Sequence, residues 1–341
     1  MKSETEIISV DRALIGYDPG TVKEKILLPA ITVGAAKGEM VSLIGPNGIG
    51  KSTLLRTIAG LQRPLGGEVR FSGRNVSAYS NNELARKISF VLTGSMVVSN
   101  ISVFELVSLG RFPHTNWIGH LTRNDRHSIE EAVASVGLLP HMYDNVGQLS
   151  DGEKQRAMIA RALAQDTEII MLDEPTAFLD LPNRYELIYL LRELSATKNK
   201  TVVFSTHDIH IALREADRIW LATGNGIQEG CPEDLALSGA FDRLFEESDL
   251  SFVQDEGVFV SPVRTRMTIK LEGEGLLLYW TERALNRLGI KARNDAVTPS
   301  VSIETSEGVA SWKYESSVVT KQFGDIFSLV NYMKSVLKGD N

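Results

Sequence analysis

Cysteine is all but missing: Cys231 stands alone in 341 residues. One thiol makes no internal disulfide and no thiolate metal cluster, which suits a reducing compartment and makes the cytoplasm the default. No apolar run reaches the roughly 18 residues from which a transmembrane helix is read. The segment 1–10 carries Lys2, Glu4 and Glu6 and lacks the apolar core of a secretory signal. The expectation is a chain that neither spans a membrane nor is exported. Positive charge is in deficit as well, with 36 Lys and Arg against 43 Asp and Glu, a net −7. Such a chain repels a phosphate backbone unless its cations gather on one face, so no nucleic acid partner is expected. Repeats and low-complexity tracts are also absent. What remains is 43% hydrophobic and 23% charged. That is a globular composition, with room for one large domain and a small one or for two of similar size.

The apolar run 40–44 ends at a glycine-rich turn and is followed by helical spacing over 53–59, a strand-loop-helix pattern. A turn into a short strand is expected over 66–72, and a helix running into a strand over 83–92. Apolar spacings of three and four over 102–146 predict a helical insertion. Uniformly apolar runs at 169–172, 201–205 and 218–222 alternate with helical stretches at 184–197 and 209–216. This is the pattern of a parallel sheet buried under helices on both faces. A linker is expected over 255–266. Beyond it come a strand (268–271), a helix (276–288), two strands (301–305, 309–314) and a last helix (323–337), a small α+β unit that matches no motif.

Between the first strand and its helix lies Gly45-Pro46-Asn47-Gly48-Ile49-Gly50-Lys51-Ser52, followed by Thr53. It fits G-x-x-x-x-G-K-[ST], and the strand-to-helix context gives that pattern its meaning. Glycines let backbone N–H groups converge on phosphate oxygens, and the helix points its positive end at the same charge. Lys51 supplies a cation for the β and γ phosphates, and the Ser52 hydroxyl is placed to ligate Mg²⁺. The strand over 169–172 ends in Asp173-Glu174. Asp173 would hold Mg²⁺ through water, and Glu174 would orient or deprotonate an attacking water.

Kinases and GTPases share both motifs. The segment that decides among them is Leu149-Ser150-Asp151-Gly152-Glu153-Lys154-Gln155-Arg156. It resembles the LSGGQ signature of ATP-binding cassette (ABC) ATPases, whose dimers close one subunit's signature on ATP held by the other's phosphate loop. Ser150, the Gly152 amide and the helix start would make a second anion cradle, and Ser150 with Glu153 also reads as a capping box. Further landmarks follow in the family's order. Asp180 in Thr176-Ala177-Phe178-Leu179-Asp180 resembles the acid of the loop that contacts the partner subunit. His207, after Ser205-Thr206, resembles the histidine that senses the γ phosphate. Tyr17 stands where the family keeps an aromatic that stacks on adenine. Leu106-Val107-Ser108-Leu109-Gly110-Arg111-Phe112-Pro113-His114 resembles a segment of the subgroup that drives uptake of iron-siderophore complexes, haem and vitamin B12.

Two positions depart from the family. Thr93 stands where a Mg²⁺-ligating glutamine is usual, and Asp151 replaces the first signature glycine.

The resemblance implies an α/β fold: a P-loop ATPase domain over 1–262 with a helical subdomain over about 95–160, followed by a small C-terminal α+β domain over 263–341. It implies an ATPase using ATP and Mg²⁺, a homodimer closed by sandwiched ATP at the cytoplasmic face of the membrane. Its partners would be transmembrane permease subunits and, indirectly, a periplasmic or surface substrate-binding protein. Docking is expected beside Thr93 and at the helical insertion around Val103 to Val107, with most of those apolar residues expected to be packed internally. The alternative is a cytosolic ABC ATPase acting on a macromolecular or cofactor-assembly partner.

Overall fold

The computed structural model describes residues 6–17, 25–92, 100–115, 119–177, 179–246, 249–262, 264–293, 298–306 and 308–339. The chain separates into two compact units, Met1–Val260 and Ser261–Asn341.

The first unit opens with strands β1 (Glu6–Tyr17) and β2 (Lys25–Ala36), then β3 (Met40–Ile44) and helix α1 (Lys51–Ile58). Strands β4 (Gly66–Phe71) and β5 (Arg74–Asn75) follow, then α2 (Asn81–Ala85) and β6 (Ile88–Val91). Helices α3 (Val103–Ser108), α4 (Arg123–Ser135) and α5 (Asp151–Ala164) lead to β7 (Ile169–Leu172), α6 (Leu181–Lys198) and β8 (Thr201–Thr206). The unit closes with α7 (Ile209–Glu215), β9 (Arg218–Thr223), β10 (Gly226–Gly230), α8 (Pro232–Leu237), β11 (Ser251–Val253) and β12 (Val258–Val260).

The central sheet runs β10-β9-β3-β8-β7-β6, parallel except for β10. Its strands are apolar because helices or a second sheet cover both faces. The register sets Ile44 beside Thr206, Phe204 beside Leu172 and Leu172 beside Val91, so the loops that follow these strands leave one end of the sheet together. In open α/β sheets that carboxyl end is where ligands bind.

A separate antiparallel sheet, β2-β1-β4-β5, packs Ile8, Ile15 and Leu28 against Leu54 and Leu55 of α1. The sequence reading assigned no strand to 6–36. Register shifts between Val10 and Ala13 and again around Ile15 break the period-two alternation by which such strands are recognised.

The helical insertion forms with α3 and α4, each started by a capping box, Ser102 with Glu105 and Thr122 with Asp125. Val103, Leu106 and Val107 are buried with Ile129 and Val133 in a core that continues to Leu172 and Phe204 of the central sheet. Their side chains pack internally, as expected for most of them. Inside the same layer Arg111 Nε meets Asp125 Oδ1 at 2.9 Å, and its guanidinium also donates to the Ala164 carbonyl at 2.8 Å. The expected linker is also partly structured, since β12 lies inside it and pairs with β11, which precedes it.

The second unit holds β13 (Met267–Glu272), α9 (Gly275–Asn286), β14 (Ile290–Ala292), β15 (Ser300–Ser306), β16 (Val309–Glu315), β17 (Thr320–Phe323) and α10 (Ile326–Lys338). Its sheet runs β14-β13-β15-β16-β17 over a core of Ile269, Leu285, Trp312, Leu329 and Met333. Two of its strands escaped sequence reading. β14 has only three residues, and β17 (TKQF) has too few apolar residues to signal a strand. The last helix starts after Asp325, which accepts the Ser328 amide at 2.7 Å, and not at Phe323.

Candidate functional site

The loop 45–50 joins β3 to α1 with Gly48 and Gly50 at φ 78° and 111°, a region that side chains with a Cβ rarely enter. Helices α2 to α5 each begin with a capping box that occupies the first amides. Helix α1 begins at Gly50, which has no side chain to cap it, and its first turn carries no acid. Its opening N–H groups are therefore left for an external acceptor. Lys51 Nζ folds back to donate to the carbonyls of Gly45 (2.8 Å) and Pro46 (3.1 Å). Burial pushes the pKa of this ammonium below the usual lysine value, while the charges of Glu174 and Asp173 pull the other way. The two carboxylates therefore lie close enough to feel the Lys51 charge.

They are held by β8. Ser205 Oγ donates to Asp173 Oδ1 at 2.8 Å and accepts the backbone N–H of Glu174 at 2.8 Å. Glu174 itself has φ 45°, a left-handed conformation costing a non-glycine residue roughly 1–2 kcal/mol. Strain of this kind persists where the surroundings over-determine it. From that backbone Glu174 Oε1 contacts Nε2 of His207, the first residue after β8.

Tyr17, at the end of β1, is half-exposed and shares a 2.7 Å hydrogen bond with the hydroxyl of buried Thr53 on α1. The ring is thereby fixed beside the loop.

At the start of α5, Ser150 is exposed and exchanges bonds with Glu153: its N–H donates to Oε2 at 2.8 Å, and Oγ accepts the Glu153 amide at 3.3 Å. Asp151 turns outward, its side chain 78% exposed and 3.6 Å from Lys154. Gly152 faces α6 so closely that a Cβ there would lie 2.9 Å from Asn183 Oδ1. Asn183 is in turn bound to Asp180, which caps α6 by accepting the Asn183 amide at 3.3 Å. The starts of the two helices are thus interlocked.

Comparison with known proteins bears on this geometry. The sequence pattern described as ABC transporter matches residues 28–177, and a second, described as Iron ABC transporter C-terminal domain, matches 266–334. An ABC transporter ATP-binding protein of Methanocaldococcus jannaschii is 35% identical over 295 residues, 85% of this chain and 98% of that one. The chain belongs to the ABC transporter family. Among its other relatives, the ferric enterobactin transport ATP-binding protein FepC of Escherichia coli is 35% identical over 69% of this chain and 85% of its own. A dimeric ATP-binding cassette bound to ADP and Pi superposes with a TM-score of 0.58 at 29% identity, over 66% of this chain and 98% of that one.

The protein is thus an ABC ATPase with the P-loop fold expected of it, and it hydrolyses ATP. Its C-terminal unit, in which the sequence reading found no motif, carries a family pattern of its own. Within this ABC ATPase, the structure gathers Lys51, Asp173, Glu174 and His207 at one end of the central sheet. Tyr17 and Thr53 meet at the adjoining helix, and Ser150 and Gly152 lie at another helix start beside Asp180. Thr93 lies outside the described residues. The sequence reading gave Ser205 no role, although a serine inside the apolar strand TVVFST, two residues before His207, was the available signal.

Proposed function

We propose that the chain is the ATP-hydrolysing subunit of an importer for an iron chelate, working as a homodimer on permease subunits at the cytoplasmic face of the membrane. The observation that carries the catalytic part is the Asp173-Ser205-Glu174-His207 chain of contacts beside the Lys51 loop. The iron assignment is supported by the C-terminal family pattern and by the enterobactin relative.

In this reading Gly45, Pro46, Asn47, Gly48 and Gly50 wrap the phosphates, with the amides of Lys51, Ser52 and Thr53 at the start of α1. Lys51 exchanges its carbonyl partners for phosphate oxygens, so its buried charge gains an anionic partner. Tyr17 stacks on the base. The residues fit a magnesium ion: Ser52 and Asp173 are hard oxygen donors, and among the described residues no group of three or more His, Cys, Asp or Glu could hold a metal by itself. The ion would therefore complete its shell from phosphate and water, as Mg²⁺ prefers, and when bound it neutralises phosphate charge. Glu174 accepts a proton from the attacking water, and His207 fixes the Glu174 carboxylate and meets the γ phosphate. Ser150 and Gly152 of one copy close on nucleotide held by the other, with Asp180 at the contact. The exposure of Ser150 in a single chain and the outward turn of Asp151 support that arrangement.

No helix among the described residues is long and apolar enough to cross a membrane, so the transport path is assigned to partner subunits. Their docking place is assigned to a groove of about 240 Å³ between the end of α1 and α2, lined by Leu61, Leu84 and Phe90. Leu61 is 65% exposed there. The test is reconstitution with the permease and assay of ATP-driven uptake of ferric chelates. ATPase activity stimulated by nucleic acid, with no permease copurifying, would favour the cytosolic alternative instead.

A further inference from the structure

Within the C-terminal unit a cleft of about 270 Å³ is lined by Arg264, Arg266, Arg287, Lys334 and Lys338, together with Gly289. The cations come from three segments: the approach to β13, the residue after α9, and the last two turns of α10. Gly289 brings them together. Its carbonyl accepts the Arg266 amide at 2.7 Å, and a Cβ there would lie 2.5 Å from the Arg264 carbonyl oxygen. Among the described residues no carboxylate lines the cleft, and the ion pairs Lys270–Glu272 and Lys313–Glu315 involve none of the five. In a chain of net charge −7, five cations around one concavity are a concentration that solubility does not call for. Two helix C-termini lie here, and basic residues neutralise such ends, but each end amounts to only about half a negative charge. Among the described residues about four positive charges stay uncompensated.

We propose that this cleft binds a small oxyanion carrying two or more negative charges, of the polycarboxylate or phosphate-ester type. The concave shape fits a small molecule, where a flat basic face would fit a membrane surface. The proposal does not rest on the transport reading above, since every residue it uses lies in the C-terminal unit.

The test is calorimetric titration of the full chain with citrate and, separately, with 3-phosphoglycerate, in a Lys51→Ala background so that the nucleotide site takes up no phosphate. Saturable one-to-one binding of either anion is expected, and which one binds tighter identifies the source. Removing two cations with Arg266→Gln and Lys334→Gln should weaken it about 25-fold, taking about fivefold for each charge at contact distance in water. An independent pair, Arg287→Gln with Lys338→Gln, should do the same. Affinity unchanged in both pairs overturns the proposal. So does binding of neither anion, whether or not the chain adheres to phosphatidylglycerol vesicles.

Discussion

Ser205 donates to Asp173 at 2.8 Å and, through the same oxygen, accepts the amide of Glu174 at 2.8 Å. One hydroxyl on the neighbouring strand thus fixes both a carboxylate and the backbone of the residue after it. The Glu174 backbone takes a strained left-handed turn there, and its carboxylate arrives at His207. A hydrogen bond to a charged group is worth roughly 1.5–3 kcal/mol. Ser205→Ala is therefore expected to lower kcat about 10- to 100-fold with ATP affinity nearly kept. A steady-state rate and a nucleotide titration on the same preparation separate the two.

Glu174→Gln keeps the shape of the side chain and removes its basicity. Hydrolysis should fall by about 100-fold or more, the usual size of a general-base contribution. The variant should still bind ATP and accumulate as the closed dimer in size-exclusion chromatography with light scattering. Turnover at the parent rate would show that the base lies elsewhere.

Tyr17→Ala removes both the ring and the bond to Thr53, whereas Tyr17→Phe removes only the bond. Base–aromatic stacking is worth about 1–3 kcal/mol. ATP affinity should drop about tenfold in the alanine variant and change little in the phenylalanine variant, as read by fluorescence titration. Equal losses in both would assign the role to the hydroxyl.

The buried Arg111–Asp125 pair ties the helical insertion together. Burial pushes the Asp125 carboxyl up, but the Thr122 hydrogen bonds and the Arg111 guanidinium outweigh it and hold the pKa at about 2. The folded value lies below the unfolded one, so the stabilisation is complete above about pH 4 and is lost as pH falls toward 2. Thermal melts should show a smaller acid loss in Asp125→Asn than in the parent protein, the remainder coming from other carboxylates held low, such as Glu153 and Asp166. Arg111→Ala strands a buried carboxylate and should cost about 3–5 kcal/mol near neutral pH.

Gly152 marks where the start of the signature helix presses on α6. Gly152→Ala places a methyl 2.9 Å from Asn183 Oδ1 and so disturbs the Asp180 cap to which Asn183 is bound. Nucleotide binding by a single subunit should persist, while dimer closure in a Glu174→Gln background should weaken. An unchanged dimer fraction would remove this contact from the closing mechanism.

The local geometry of the candidate site was legible where neighbours in sequence make it. The Gly45–Thr53 loop, the Asp173-Glu174 strand end and the Ser150–Glu153 capping box each work through backbone geometry within a few residues, and contiguous letters record that. Legibility failed for strands β1 and β2, which hide behind bulges.

By itself the sequence determined a glycine-rich loop between a strand and a helix, a strand end with two carboxylates, a capping box at the start of α5 and strands apolar enough to be buried. Short-range sterics and hydrophobic periodicity decide those features. Only the tertiary structure decided that Ser205 serves Asp173 and Glu174, that Tyr17 meets Thr53, that Gly152 abuts Asn183, and that five cations from three segments share one cleft. These pairings join residues far apart along the chain. They depend on strand register and helix packing, which the whole folded core fixes and no local window of sequence contains.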